Sequence, residues 1–191
     1  MKNLLMILLT IALALSLTAC GAGNTDSPGG EQISVANARE LLNTVWDSYG
    51  EDERFPAAGG DMSEENMTMD APGKFGIEDA DILDATLGFP AAFATKIDDA
   101  ASLMHMLNAN TFTCGAYHVK NTEDISELAS KIKDNIQQRQ WLCGFPDKLV
   151  IISLGNYLVV FFGETEIVDS FQAKLNDAYP SAEVVCAEPI G

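Results

Sequence analysis

The sequence predicts an α+β domain built on one mostly antiparallel sheet, and three observations indicate this class. Residues 149–154 and 157–162 are apolar runs separated only by Gly155-Asn156, a connection typical of a two-residue β-hairpin. Residues 111–119 form another run rich in β-branched and aromatic side chains. Helix-periodic segments separate these runs. The order of hairpin, helix, hairpin, helix and strand favours a sheet of about five strands, made of two hairpin–helix units and a final strand.

The other elements are assigned from residue periodicity and from helix start and stop signals. Residues 102–107 fit either a strand or a helix, and we interpret them as the strand that pairs with 111–119. The predicted elements in chain order are a helix over 77–87, a strand over 102–107, a helix from Asn121 or Thr122 to before Gly144, a helix after Gly163 and a strand over 183–187.

Both faces of the hairpin over 149–162 are apolar and therefore need cover. In a sheet with one solvated face, apolar and polar residues alternate, whereas Ser153 is the one polar side chain in these two runs. The helices of the two hairpin–helix units are expected to cover one face. An N-terminal helix, capped by Ser34 and ending near Ser48, carries an apolar stripe with Trp46 and is expected to cover the second face.

The first residues resemble a bacterial lipoprotein leader. A basic residue, Lys2, precedes an apolar run over 4–15, and residues 17–20 (Leu-Thr-Ala-Cys) look like a lipobox. The run is shorter than the roughly 20 apolar residues of a membrane-spanning helix, as is typical of a cleaved signal peptide. The resemblance implies removal of residues 1–19, a diacylglycerol on the Cys20 thiol and a place on the extracytoplasmic face of the cell membrane. The alternatives are plain secretion and an uncleaved anchor.

The remaining chain is expected to form a tether and one domain. Residues 20–32 are small, polar and rich in Gly, which predicts a flexible tether with a reach on the order of 20 Å. Residues 33–191 suit a single extracytoplasmic domain. Within it, residues 51–76 show no helix or strand period and are expected to form a long acidic loop.

That loop offers oxygen ligands for a hard cation such as calcium. Its spacing matches no EF-hand, and acidic loops are mostly solvated, so cation binding is the minor interpretation. The candidate ligands are Asp61, Glu64, Glu65 and Asp70.

The charge balance limits the classes of partner. The 191-residue chain has 11 basic and 28 acidic residues and a formal net charge of −17. Such a surface repels nucleic-acid phosphates and anionic lipid headgroups, which excludes both as partners. It attracts cations or basic partners, but the first interpretation of this charge is solubility. Membrane association is therefore expected only through the lipid on Cys20.

Three of the four cysteines remain after lipidation of Cys20. An exported protein keeps disulfides, and three thiols allow one bond. The predicted pair is Cys114 with Cys143, because the helix after the strand of Cys114 returns antiparallel to it; Cys186 is the competitor. There is no Cys-x-x-Cys pair in the sequence, so neither a thioredoxin-like nor a zinc-ribbon site is supported.

The two histidines do not indicate an active site. Met104-His105-Met106 resembles extracellular copper(I) sites, to which Met67 and Met69 would add thioethers. On a strand, however, His105 points away from both neighbouring methionines, so the three cannot converge. Neither His105 nor His118 lies in a nucleophile-elbow or metal-hydrolase motif. We therefore predict no catalytic residue, no metal and no cofactor.

Residues 139–147 form the densest cluster of unusual side chains in the sequence. One interpretation is a helix end whose Trp141 and Phe145 pack on the sheet. The other is an aromatic recognition edge, because exposed Trp and Arg are favoured at protein interfaces. The candidate partner-binding residues are Arg139, Trp141 and Phe145.

These motifs together resemble one protein family. The leader, the acidic middle segment, the Asn-Thr-Glu-Asp-Ile helix start at residue 121 and the Arg-x-Trp and Phe-Pro-Asp residues of 139–147 are similar to those of small lipoproteins of Gram-positive anaerobes. These lipoproteins form a domain of unknown function, and some are labelled bacteriocin transport accessory protein. The resemblance covers roughly residues 35–188. It implies an extracytoplasmic binding or accessory role and leaves the ligand and the partner open. The candidate partner is an envelope protein or a transporter.

The sequence thus predicts a membrane-anchored, non-catalytic binding or accessory module. The alternatives from other classes are a cell-envelope enzyme and a cation-binding or copper-binding lipoprotein. A pocket with convergent titratable groups would favour the enzyme, whereas an acidic surface with one apolar patch would favour the binding module.

Overall fold

The computed structural model describes residues 35–142 and 144–191, and all structural statements below concern those residues. The α-helices are α1 (Ala38–Asp47), α2 (Ala80–Leu87), α3 (Ile125–Gln137) and α4 (Thr165–Ala178). The strands are β1 (Ala57–Gly59), β2 (Thr68–Met69), β3 (Gly73–Lys74), β4 (Ile97–His105), β5 (Phe112–Val119), β6 (Lys148–Leu154), β7 (Tyr157–Gly163) and β8 (Glu183–Pro189). Short 3₁₀ helices cover Glu51–Glu53, Ala91–Lys96 and Thr122–Asp124.

All eight strands belong to one open antiparallel sheet. Its order is β2-β1-β4-β5-β7-β6-β8, and β3 pairs with β4 beside β1. The α+β class and the antiparallel sheet are therefore confirmed. The hairpin across Gly155-Asn156 is confirmed as well, with Leu154 opposite Tyr157. The sheet has more strands than the five expected because the segment 51–76 supplies three short ones.

The sheet separates two hydrophobic clusters, one on each face. On one face α1 and α4 cover alternate strand residues such as Val150, Ile152 and Phe161. On the other face α2 and α3 cover their neighbours, such as Leu149 and Ile151. The sequence analysis placed α3 and α4 on the same face, and this was wrong. Both clusters lie within residues 35–191, so this region has a core of its own.

Helix α1 begins later than predicted. The expected cap was Ser34, which lies outside the described residues, but the helix starts at Ala38 and is capped by Asn37. The Asn37 side chain accepts from the Glu40 amide at 2.9 Å. A second acceptor, the Asp99 carboxylate on β4, accepts from the Ala38 amide at 2.7 Å. A cap from a residue 61 positions away is invisible in the local sequence.

Strand β4 confirms the strand interpretation of 102–107 and extends it back to Ile97. A bulge lies between Ile97 and Asp99, and from there to Met104 the strand pairs regularly with β5. The other predicted elements are present, with α2 starting at Ala80, α3 preceded by a 3₁₀ turn and β8 extending to Pro189. The Ala-rich start of β4 concealed its length because Ala has low strand propensity.

The acidic segment 51–76 is ordered, and the sheet edge is built from it. Gly59 and Gly73 approach so closely that a Cβ on Gly59 would lie 2.1 Å from the Gly73 nitrogen. Buried Ser102 on β4 donates to the Gly60 carbonyl at 3.1 Å and accepts from the Gly60 amide at 2.9 Å. From α1, the Trp46 indole donates to the Asp70 carbonyl at 2.8 Å. The segment is therefore fixed to both the sheet and α1.

Asp61 organises the turn of this segment. Its carboxylate accepts from the Asn66 side-chain amide at 2.7 Å, the Gly76 amide at 2.9 Å and the Ser63 amide at 3.1 Å. Burial alone would raise the pKa of Asp61, but these hydrogen bonds outweigh burial and lower it to about 2. This candidate cation ligand therefore forms hydrogen bonds within the loop.

We predict that Asp61→Ala lowers the free energy of unfolding by about 1–2 kcal/mol at neutral pH. Because the folded-state pKa is below the ordinary value of 3.8, this stabilisation is complete above about pH 4 and is lost as the pH falls towards 2. Chemical denaturation between about pH 5 and pH 2 measures the difference. The control is Glu64→Ala, an exposed acid of the same segment, which should have no effect. A deficit that does not change with pH would contradict this role of Asp61.

Candidate binding surface

Four large apolar side chains are exposed at the end of the sheet where β4 finishes. Met106 and Leu107, in the β4–β5 turn, are 47% and 77% exposed. Leu142 and Phe145, in the loop between α3 and β6, are 91% and 74% exposed. We call these four residues the apolar patch.

The β4–β5 turn is held by His105. The backbone amide of Leu107 donates to Nδ1 of His105 at 3.3 Å, and the ring stacks on Phe55 with 5.6 Å between centroids. The Met106 amide donates to the Pro56 carbonyl at 2.8 Å. His105 therefore has a structural role, and the turn presents Met106 and Leu107 from a fixed backbone.

The loop of Leu142 and Phe145 lies directly beside this turn. The Asn110 side-chain amide donates to the Gly144 carbonyl at 3.0 Å. Gly144 has a φ of 76°, a conformation that glycine adopts without strain. Next to Phe145, Pro146 is buried and fixes the chain where it enters β6. The two halves of the apolar patch are therefore neighbours.

Arg139 and Trp141 are partly buried and make contacts within the protein. The Arg139 guanidinium donates to the carbonyls of Asp84 and Ala85, the latter at 2.9 Å, at the end of α2. It also lies over the Trp141 ring at 5.8 Å. Trp141 packs on Phe162 of β7 with 5.5 Å between centroids. These two residues connect α2, the loop and the sheet.

The three residues of the predicted recognition edge differ in their exposure. Of its three residues, Phe145 is exposed, while Arg139 and Trp141 are packed. The sequence analysis missed Leu142 and the turn residues Met106 and Leu107. Their signal was two consecutive apolar residues directly before Asn-Ala-Asn, a position where a polar turn is usual.

A second group of titratable residues lies at the opposite end of β4. His118 Nδ1 is 2.5 Å from Asp98 Oδ1, and the His118 ring contacts Tyr157 at 4.9 Å. Burial, followed by the carboxylates of Asp99 and Asp98, raises the pKa of Tyr157, so the hydroxyl stays protonated and is a poor nucleophile. His118 pairs opposite Asp99, which is six residues from His105 and so roughly 20 Å along the strand. The two histidines do not share a site.

A cleft of about 240 Å³ lies between the end of α1 and the start of α4. Two of its charged groups are already paired, because Glu53 accepts from Lys174 at 2.8 Å and Arg54 donates to the Trp46 carbonyl at 3.2 Å. Burial raises the pKa of Tyr49, which also lines the cleft, to about 12. Glu53 and Arg54 in this cleft therefore serve contacts within the protein.

The described residues contain no group of three or more His, Cys, Asp or Glu side chains placed to hold a metal ion. The positions of the methionines also disfavour the copper hypothesis, since Met104 is buried whereas Met106 is exposed. Met104 and Met106 flank His105, whose Nδ1 accepts the backbone amide of Leu107.

The described part of the chain has two free thiols. Cys114 is fully buried beneath α1 and α4, and burial raises its pKa well above the ordinary value. Cys186 on β8 is half-buried and also free. Cys143 lies outside the described residues, so its pairing with Cys114 stays a prediction. The leader, Cys20 and the tether lie outside the described residues as well.

Comparison with known proteins gives no family to which the chain can be assigned. No family model, curated protein or solved structure matches it. The resemblance to small Gram-positive lipoproteins therefore stays a prediction from motifs. Within residues 35–142 and 144–191, none of the helices has the length and apolar character needed to cross a membrane.

We predict that Arg139→Gln lowers the free energy of unfolding by about 1–3 kcal/mol, because the α2 carbonyls lose a charged donor. Thermal denaturation followed by circular dichroism measures the change. Lys131→Gln removes a positive charge from the exposed side of α3 and is the matched control, with a change within about 0.5 kcal/mol. Equal stability of Arg139→Gln and the unchanged protein would contradict the packed role of Arg139.

Proposed function

We propose that the protein is an extracytoplasmic lipoprotein, held at the cell membrane by a lipid on Cys20, that binds a protein partner through the apolar patch and catalyses no reaction. The proposed partner is a protein of the cell envelope, such as a transporter. The lipobox-like residues 17–20 support the anchor. The exposed group of Met106, Leu107, Leu142 and Phe145 supports the binding role.

The apolar patch is the observation that carries the proposal. The fold buries its apolar residues thoroughly, since both faces of the sheet are covered and most core side chains are less than 5% exposed. The apolar patch places four large exposed side chains on two loops that lie side by side. Large contiguous apolar patches on a monomer often mark an interaction site.

The position of the patch suits an anchored protein. The described chain begins at Val35, and α1 starts beside Asp99 near the first residues of β4. Leu107 follows the last residues of β4. The strand between them is roughly 20–25 Å long. The first described residues and the apolar patch therefore lie at opposite ends of β4.

We predict that the double variant Leu107→Ser, Phe145→Ser abolishes co-purification of the partner. The lipidated protein is isolated from mildly solubilised native membranes, and the bound proteins are quantified by mass spectrometry. Removing two exposed apolar side chains from an interface centre costs on the order of 2–4 kcal/mol, so at least a tenfold loss of specific partners is expected. Because both residues are exposed, stability should stay unchanged.

The matched control for this experiment is Val184→Ser. Val184 is 48% exposed on β8, at the other edge of the sheet, so the substitution has the same chemistry away from the apolar patch. Identical partner sets for the double variant, the control and the unchanged protein would overturn the binding role of the patch.

We also predict that Cys20→Ala prevents lipid attachment, because the thiol is the attachment point. Two acyl chains bind a membrane stably, whereas the polypeptide offers little affinity of its own. Metabolic labelling with a fatty-acid analogue and detergent phase partitioning measure the loss. A Cys20→Ala protein that still carries the label would refute the anchor.

A further inference from the structure

We propose that the segment docking on the apolar patch is a basic amphipathic helix of the partner protein. This inference rests on the proposed binding function and names the chemistry of the partner. It depends on two further features of the molecule: the methionines of the neighbouring sheet edge and the sign of the charges around them.

Two exposed methionines of the sheet edge, Met67 and Met69, lie near the apolar patch. Met69 on β2 is opposite Ala58 on β1, and Ala58 is opposite Met104 on β4. Directly opposed residues share a face, so Met69 lies in the same row as Met104, which is buried and stands two residues before the exposed Met106. Met69 is 53% exposed, and Met67, also on this edge, is 47% exposed.

Methionines suit a surface that receives a helix. The thioether side chain is flexible and polarizable, so a group of methionines adapts to the apolar side chains of a docked segment. The sheet spans three strand spacings from β2 to β5, roughly 15 Å, and this separates the methionines of β2 from the turn that leads into β5. An amphipathic helix of about three turns has this length and carries one apolar stripe. Such a helix matches the surface in size.

The charges around this surface are acidic. Glu64, Glu65 and Asp70 flank Met67 and Met69, and all three carboxylates are exposed. The positive groups nearest the apolar patch in sequence are occupied, since Arg139 donates to the α2 carbonyls and Lys148 pairs with Asp169 at 2.6 Å.

The formal net charge of the chain, −17, extends this field over the whole molecule. A partner with lysines and arginines beside its apolar stripe is attracted, whereas an acidic segment or an anionic lipid surface is repelled. Among amphipathic segments, charge complementarity thus favours one with basic residues beside its apolar stripe.

The test uses the unlipidated chain from Gly21, which retains both described hydrophobic clusters. The probe is a synthetic helix of about 18 residues, with Leu on one face and Lys on the other. A second peptide keeps the Leu positions and has Glu in place of Lys. Fluorescence anisotropy measures both dissociation constants at about 50 mM and about 300 mM NaCl.

We expect the Lys peptide to bind at least about tenfold more tightly than the Glu peptide, and its affinity to fall severalfold at the higher salt. Leu107→Ser with Phe145→Ser should weaken the Lys peptide about tenfold or more, and Val184→Ser should leave it unchanged. Glu64→Gln with Glu65→Gln should weaken it about threefold and reduce the salt dependence.

Other results separate this inference from the proposed function. Equal, patch-dependent affinity for the two peptides would overturn the basic partner and keep the binding role of the apolar patch. Binding of the Lys peptide that the patch variant does not weaken would overturn the docking site itself. Patch-dependent binding to vesicles of neutral phosphatidylcholine, with no preference between peptides, would assign the surface to the membrane and overturn the inference.

Discussion

The rest of the structure depends on three central strands that are apolar on both faces. In β5, β7 and β6 nearly every side chain is buried, with Val159 and Phe161 beneath α1 and α4 and Leu158 and Val160 beneath α2 and α3. Each large apolar side chain left in water would cost about 1.5–3 kcal/mol. A sheet with these strands therefore requires helices on both sides, and the chain supplies two for each face.

This demand also explains why the acidic segment is ordered. The sheet must be completed beside β4, and the segment between α1 and α2 that forms this edge is rich in Gly, Pro and acidic residues. Gly59 and Gly73 allow the two backbones to approach closely, and hydrogen bonds to the Asp61 carboxylate hold the turn together. An acidic composition therefore does not imply a solvated loop when its carboxylates have backbone donors. The apolar residues that this edge and the neighbouring loops leave exposed are the surface on which the functional proposal depends.

Much of the fold was predictable because its strongest signals are local. The Gly155-Asn156 turn, the uninterrupted apolar runs beside it and the helical stripe with Trp46 need no long-range information. The three short strands of 51–76 were not predictable, since they form through contacts such as that of Ser102 with Gly60, 42 residues apart. The face chosen by α4 was equally hidden, because its apolar stripe fits either side of a two-faced sheet. Of the candidate site, the sequence analysis named Phe145. It could not indicate the contacts of Arg139, because the α2 carbonyls that accept from its guanidinium lie more than 50 residues away in the sequence.

The central claim is that the apolar patch contacts a protein partner in the living cell, and site-specific photo-crosslinking tests it most directly. A photoreactive phenylalanine analogue is placed at position 107 in the lipidated protein, and at position 184 as the reference, and the cells are irradiated before lysis. The account predicts a discrete crosslinked protein from position 107, lost when Phe145→Ser is added, and none from position 184. No protein crosslink from position 107, or the same products from both positions, would contradict it.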